Sequence, residues 1–236
     1  MNKKTLIFIV FLVCILTACK KPIIEQVPVD FDTNYFPMEQ NSWKIFDVTF
    51  ISIDEPTNLH DTLTYQIKEI NKGWYVDAVG DSLIIIERYK RDSLNDKWEN
   101  LGVWQAGIKE TKAIQIEENI KYVKMLFPIS IGKEWNGNAY NSQDTLNNFL
   151  YKYSTLDSVE TYNEILFDQV VTVTQKYDSN KIKKISFIEK YQYGVGLIYK
   201  EQIDLYSSDV FPGVPVEDRV SVGTFYYQKI LNYGTD

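Results

Sequence analysis

The sequence predicts a mainly β, antiparallel protein whose sheet curls into a half-barrel, a barrel or a two-sheet sandwich. Three observations carry this. Aromatic residues make up 14% of the 236, with 17 Tyr among them, and Tyr, Phe, Trp, Val, Ile and Thr suit a pleated, half-buried surface. Apolar and polar side chains alternate with period two over much of the chain. Turn-forming residues recur at short intervals, as in Asn71-Lys72-Gly73, Gly80-Asp81, Asn95-Asp96, Asn136-Gly137 and Asp178-Ser179-Asn180. A chain of eleven or twelve antiparallel strands must hide its edges, and curling does so.

The N-terminal segment stands outside this body. Residues 1–4 are basic, residues 5–16 are apolar and free of charge, and Thr17-Ala18 are small or polar. That is the three-part layout of an export signal. A spanning helix needs about 20 apolar residues, and Lys20-Lys21-Pro22 ends this run well short of that. Residues 20 to about 34 carry Pro22 and Pro28 and mix charge with isolated apolar side chains. As a flexible coil, ~15 residues would hold a domain roughly 20 Å from its anchor. The expected organisation is a leader over 1–18, a tether over 19–34 and one β domain over 35–236.

Within the body, Leu63, Tyr65 and Ile67 alternate with Thr62, Thr64, Gln66 and Lys68. The run Leu83–Ile86 is continuously apolar, which reads as a strand covered on both faces. Ile114 and Ile116 fit a short strand better than a helical turn. Ile185, Phe187 and Tyr191 share a face with Glu189, while Leu197, Tyr199, Ile203 and Leu205 alternate with Lys200, Gln202 and Asp204. A phrase recurs about 91 residues apart: Phe36-Pro37-Met38 leads to Trp43, and Phe127-Pro128-Ile129 leads to Trp135. Proline fixes φ and lacks a donor, so Phe-Pro suits a corner or an edge. The phrase implies two related sheet halves, or the reuse of one good strand opening.

Cys19 closes the run Leu16-Thr17-Ala18-Cys19, which resembles the lipobox of bacterial lipoproteins. The resemblance implies cleavage after Ala18 and a diacylglycerol on the Cys19 thiol; the other reading is an ordinary leader with Cys19 a bystander. Each buried methylene contributes about 0.8 kcal/mol and a single acyl chain binds only reversibly, so the two or three chains that the resemblance implies suffice for lasting attachment. The body is similar to a group of envelope lipoproteins of Bacteroidota-type bacteria. The phrases that carry this are F-P-x-x-x-G-x-x-W, over Phe127 to Trp135, and G-V-G-L-[VI], over Gly194 to Ile198. The first copy of the Phe-Pro phrase departs by having Asn41 where glycine is usual. The group brings no catalytic residue with it.

Five sites read Asp-[Ser/Thr]-aliphatic, with hydroxyls at Thr62, Ser82, Ser93, Thr145 and Ser158. This resembles an O-glycosylation signal on exported proteins of the same bacterial group. It also fits plain turn chemistry, in which Asp and Ser or Thr precede the next strand.

Without the leader, 218 of 236 residues remain. Removing Lys3 and Lys4 from the 25 basic residues leaves 23 against 32 acidic, a formal charge of −9. An acidic surface repels phosphate backbones, so a nucleic-acid partner is not expected. Of the two cysteines only Cys19 would remain, so stability must come from packing rather than from a disulfide. His60 is the sole histidine, and with no partner cysteine it makes no ordinary zinc site. No G-x-S-x-G, Walker A or dinucleotide fingerprint occurs, and Gly194-Val195-Gly196 precedes a strand rather than a helix. No metal and no cofactor is expected. Glu117-Glu118 and Glu217-Asp218 are the obvious acid pairs, and both read as solvent-facing charge. Residues 207–219 break the strand rhythm with an apolar stretch around Phe211 and Val214, read as a ligand or partner contact or as a loop folded over an open barrel end.

The expected function is a non-enzymatic envelope lipoprotein that binds or helps assemble a hydrophobic ligand or an envelope component. It is expected at the outer membrane, held by its N-terminal lipid and facing the periplasm, because residues after Cys19 lack an acidic cluster. The alternative is a glycan- or protein-binding module using Trp74, Trp98 and Trp104 with Tyr191 and Tyr193, residues that also suit a core. A carboxylate hydrolase is the third class. Cys19→Ser is expected to release the protein from the membrane fraction in soluble form; cell fractionation checks this, and unchanged sedimentation with membranes refutes the anchor.

Overall fold

The structure, a computed structural model, describes residues 32–141 and 149–236. Cys19, the leader, most of the tether and Thr145 lie outside the described residues. Strands account for 66% of the described residues, arranged as one twelve-stranded antiparallel sheet nearly closed into a barrel. Chain order runs β1 (Ser42–Asp54), β2 (Leu59–Val76), β3 (Ser82–Arg91), β4 (Glu99–Lys109), β5 (Lys112–Glu117), β6 (Ile120–Leu126), β7 (Glu134–Asn136), β8 (Leu150–Tyr162), β9 (Ile165–Ser179), β10 (Lys183–Gln192), β11 (Gly196–Tyr206) and β12 (Val222–Thr235).

The topology is a meander in two arms. Sheet order is β6-β5-β4-β3-β2-β1-β12-β11-β10-β9-β8-β7. Every consecutive pair of strands is thus adjacent except β6 and β7, which lie at the two free edges. The first and last strands are zipped together in the middle, where β1 pairs with β12 from Ser42 opposite Thr235 to Asp54 opposite Val222. The recurring Phe-Pro phrase opens the first strand of each arm, since Trp43 is the second residue of β1 and Trp135 the second of β7. Phe36 and Phe127 both enter the same core cluster.

Local chemistry sets the turns. Glu118-Asn119 joins β5 to β6 and Asn163-Glu164 joins β8 to β9, all four at positive φ. Two-residue loops of this kind match the right-handed twist of the strands they connect. Gly194 and Gly196 also take positive φ, and a Cβ on Gly196 would sit 3.0 Å from Pro37 Cδ and 3.2 Å from Lys44 Nζ. The Gly194-Val195-Gly196 phrase is therefore a bend into β11, close to which Pro37 packs. Asn34 and Asp32 also reach the body: Gly194 N–H donates to Asn34 O at 2.9 Å, and Ile129 N–H donates to Asp32 Oδ2 at 3.0 Å.

Closure between β6 and β7 is made by one backbone hydrogen bond and by side chains rather than by a ladder. Val123 N–H donates to Gly137 O at 2.8 Å. Trp135 Nε1–H donates to Val123 O at 2.8 Å. The Tyr153 hydroxyl donates to Leu126 O at 2.9 Å and accepts from Leu126 N–H at 3.0 Å. Buried backbone groups need partners, and here bulky aromatics of the second arm supply them to the edge of the first.

The main core lies inside the curl. Ile84, Ile86, Ala106, Ala113, Val123, Met125, Val171 and Val173 pack with Phe36, Phe127, Trp135, Tyr151, Tyr153 and Tyr191. A second cluster covers the opposite sheet face, where Ile203 and Leu205 lie beneath Val216 and Val220 beside Ile53, Phe225 and Tyr227. The loop over residues 207–221 thus covers the outside of the sheet, not an open barrel end. On β11 Ile203 and Leu205 therefore face outward under the loop, while Lys200 and Gln202 face in.

The two tryptophans of the repeated phrase have unequal surroundings. Trp135 is buried, while Trp43 is half-buried and its Nε1–H donates to Asp236 Oδ1 at the surface. Trp135→Ala is therefore expected to destabilise the fold by about 3–5 kcal/mol and Trp43→Ala clearly less. Urea unfolding of both variants measures this, and equal midpoints would contradict the seam assignment.

Candidate functional site: a charged and aromatic barrel interior

The interior holds a layer of charge above its apolar core. Lys124 on β6 is 4% exposed and Glu189 on β10 is 1% exposed. Lys124 Nζ lies 2.6 Å from Glu189 Oε1 and 3.1 Å from Glu117 Oε1 on β5. Lys200 on β11 lies 3.6 Å from Glu189 Oε1 and 3.8 Å from Glu117 Oε2. Beside this quartet, Arg88 Nε–H on β3 donates to Glu69 Oε1 on β2 at 3.0 Å, the two residues being direct cross-strand partners. The Trp104 ring on β4 has Arg88 Cζ 3.4 Å and Lys200 Nζ 6.0 Å from its centre. Three cations and three carboxylates from six strands therefore meet across the curl.

The electrostatics follow from burial and pairing. Burial opposes the charged form of Glu117, but Lys124 and Lys200, with Arg88 nearby, hold its carboxyl at about 2. Burial likewise opposes the Lys124 ammonium, and Glu117 and Glu189 override it, keeping the amine protonated well beyond its ordinary range. The Tyr191 hydroxyl, raised by burial and by Glu189, donates to Glu189 Oε2 at 2.6 Å. Low polarity inside the curl strengthens each of these contacts and makes each group costly to leave unpaired.

Above the charged layer lies a cavity of about 150 Å³, lined by Tyr122, Phe149, Tyr151, Gln175, Phe187 and Gln202 together with Glu117, Lys124 and Lys200. Tyr122, Phe149 and Phe187 are half-buried. Lys176 Nζ lies 5.0 Å from the Phe149 ring centre. Gln175 is 5% exposed, and its Nε2 has no hydrogen-bond partner among the described residues. At the other end of the core a space of about 40 Å³ holds Lys44, Glu69 and Asn71 near Phe36 and Gly196; burial pushes the Lys44 ammonium down, offset in part by Glu69. No group of metal-ligating side chains occurs among the described residues.

The residues singled out from the sequence fall in several places. Trp104 joins the interior, Trp98 is half-buried with Arg91 Cζ 4.4 Å from its ring centre, and Trp74 is 45% exposed. Tyr191 is 2% exposed and belongs to the core, not to a recognition surface. Tyr193 stands edge-on to Tyr35 at 5.3 Å. Glu117 faces the interior ion pairs rather than solvent, because the β5–β6 turn places it at the last pair of the ladder; its neighbour Glu118 accepts from Trp104 Nε1–H at 3.2 Å. Glu217 pairs with Lys184, and His60 pairs with Glu55 at an exposed hairpin end. Phe211 is 56% and Val214 39% exposed, on a loop that Arg219 fastens through Ser207 Oγ and the carbonyls of Val214, Asp209 and Lys181. Thr62, Ser82 and Ser93 are exposed. Ser158 is half-buried and donates to Val170 O at 3.2 Å.

No protein-family profile and no curated protein matches the chain. Among solved structures, that of a candidate lipoprotein from Parabacteroides distasonis aligns at 10% identity with a TM-score of 0.36, covering 84% of this chain and 98% of that one. A likeness this loose carries no argument about fold or function.

Removing one member of a buried pair leaves an uncompensated charge, so Lys124→Met is expected to destabilise by about 3–5 kcal/mol. Because the folded-state pKa of Glu117 lies below its ordinary value, its stabilisation is present above about pH 4.5 and is lost as pH falls toward about 2. Urea unfolding at stepped pH should show this loss, and Glu117→Gln should flatten that part of the profile. An unchanged slope in the variant would refute the assignment.

Proposed function

We propose that the protein is a lipid-anchored, non-enzymatic binding factor of the cell envelope. It is held at the outer membrane through Cys19 and takes up a polar-faced ligand in the cavity above the Lys124 ion pairs. The carrying observation is the division of the interior. Its aliphatic side chains pack against one another and leave little room, whereas the larger space is walled by half-buried aromatic rings, amides and paired charges. A carrier of acyl chains needs the opposite arrangement, with an apolar void. The reading therefore moves away from the hydrophobic ligand expected first; it shares a glycan ligand with the surface module expected second, but places it in the interior instead of on exposed tryptophans.

Chemistry at this site is disfavoured by the same charges. A general acid must hold a proton near neutral pH, and Glu117 at about 2 does not. Both carboxylate oxygens of Glu189 accept, one from Lys124 and one from Tyr191. Contact with an envelope protein is a second reading for one surface, the fastened loop that keeps Phe211 and Val214 exposed above a groove with Tyr177.

Titration with a fluorescent fatty-acid probe tests the proposal. No saturable uptake is expected. Stoichiometric uptake displaced by phospholipid would overturn the polar reading and restore the lipid one.

A further inference from the structure

We infer that the ligand presents a neutral hydroxylated ring, a pyranose unit of a glycan, which sits among Tyr122, Phe149 and Phe187 and offers an oxygen to Gln175 Nε2. The inference rests on the polar-ligand reading above and names its class.

Three features of the cavity narrow the occupant. Its walls include flat rings from separate parts of the sheet, Tyr122 on β6, Phe149 just before β8 and Phe187 on β10, so the occupant has flat apolar faces. Its base is polar, with Gln175, Gln202 and the ion-paired lysines, so the same occupant carries polar groups around its perimeter. A sugar ring combines these two properties, and an acyl chain lacks the second. The volume of about 150 Å³ is below the roughly 300–1,000 Å³ of pockets that enclose a drug-sized ligand, which fits one ring held at the end of a longer chain.

The charges argue for neutrality. Arg88, Lys124 and Lys200 are each matched by Glu69, Glu117 or Glu189 within 4 Å. An anion or a cation entering the cavity would have to break a buried pair, which is costly. Lys176 lies over the Phe149 ring, and the net charge of −7 further disfavours anions at long range. Gln175 supplies the independent pointer. A buried amide donor without a partner costs about 1–3 kcal/mol; the Gln175 side chain lines the cavity, and turning its closed-off amide toward a ligand oxygen would recover that cost.

Saturation-transfer NMR on the full-length chain would use methyl α-glucopyranoside, methyl α-mannopyranoside, N-acetylglucosamine and maltose, with glucuronate and inorganic phosphate as charged probes. At least one neutral sugar is expected to bind. Phe187→Ala should weaken it about tenfold, in line with the strength of ring-face contacts. Gln175→Leu should weaken it about fivefold while leaving the thermal midpoint equal or higher, because it removes an unpaired buried donor; a purely structural role for Gln175 would lower that midpoint. Silence from every neutral sugar at about 10 mM, a preference for glucuronate or phosphate, or sugar binding untouched by both variants would each overturn the inference. In the second and third cases the polar-ligand reading survives, and only uptake of the fatty-acid probe removes both.

Discussion

The ammonium of Lys124 sits between Glu117 and Glu189, and the shape of the interior depends on that triple. Glu117 and Lys124 belong to the first arm of the sheet, Glu189 and Lys200 to the second. The two arms share a long ladder only between β1 and β12. On the far side, where β6 meets β7, regular pairing gives out and Trp135 and Tyr153 cap the exposed backbone. The ion quartet bridges the arms across the space that remains. In a medium of low polarity such a bridge holds its geometry closely, because each group would pay heavily for losing its partner.

That constraint also shapes the site. A charged layer cannot be packed as densely as an aliphatic one without leaving polar atoms unpaired. The sheet solves this by giving the layer long side chains that pair with one another and by closing the far end with Phe36, Phe127 and Trp135. Of the two interior spaces, the larger lies on the other side of the charges, among Tyr122, Phe149 and Phe187. Structure and recognition are thus coupled: the groups that stiffen the barrel are also the base of its cavity.

The outer face carries a second device. Ile203, Leu205, Phe225 and Tyr227 would be an exposed apolar stripe on the sheet, and the loop after β11 covers them with Val216 and Val220. Arg219 fixes that loop by several hydrogen bonds to carbonyls and to Ser207. The arrangement explains why an apolar loop is tolerated there while residues 208–215, with Phe211 and Val214, stay in solvent.

Period-two alternation and turn chemistry by themselves determined the fold class, the strand-rich body and the bends at Gly80-Asp81, Asp178-Ser179-Asn180 and Gly194-Gly196, because these depend on neighbours in the chain. The pairing of Lys124 with Glu189 depends on neighbours across the curl, 65 residues apart in sequence, and no local pattern shows it. One hint was legible, since Glu189 shares a face with Phe187 and Tyr191. For β11 alternation gave no such hint, because both faces are covered and only the tertiary structure decides that the polar one looks inward. The site was therefore hidden for a physical reason: its polar side chains alternate with apolar ones just as solvent-facing residues do, and closure of the sheet alone turns them toward one another.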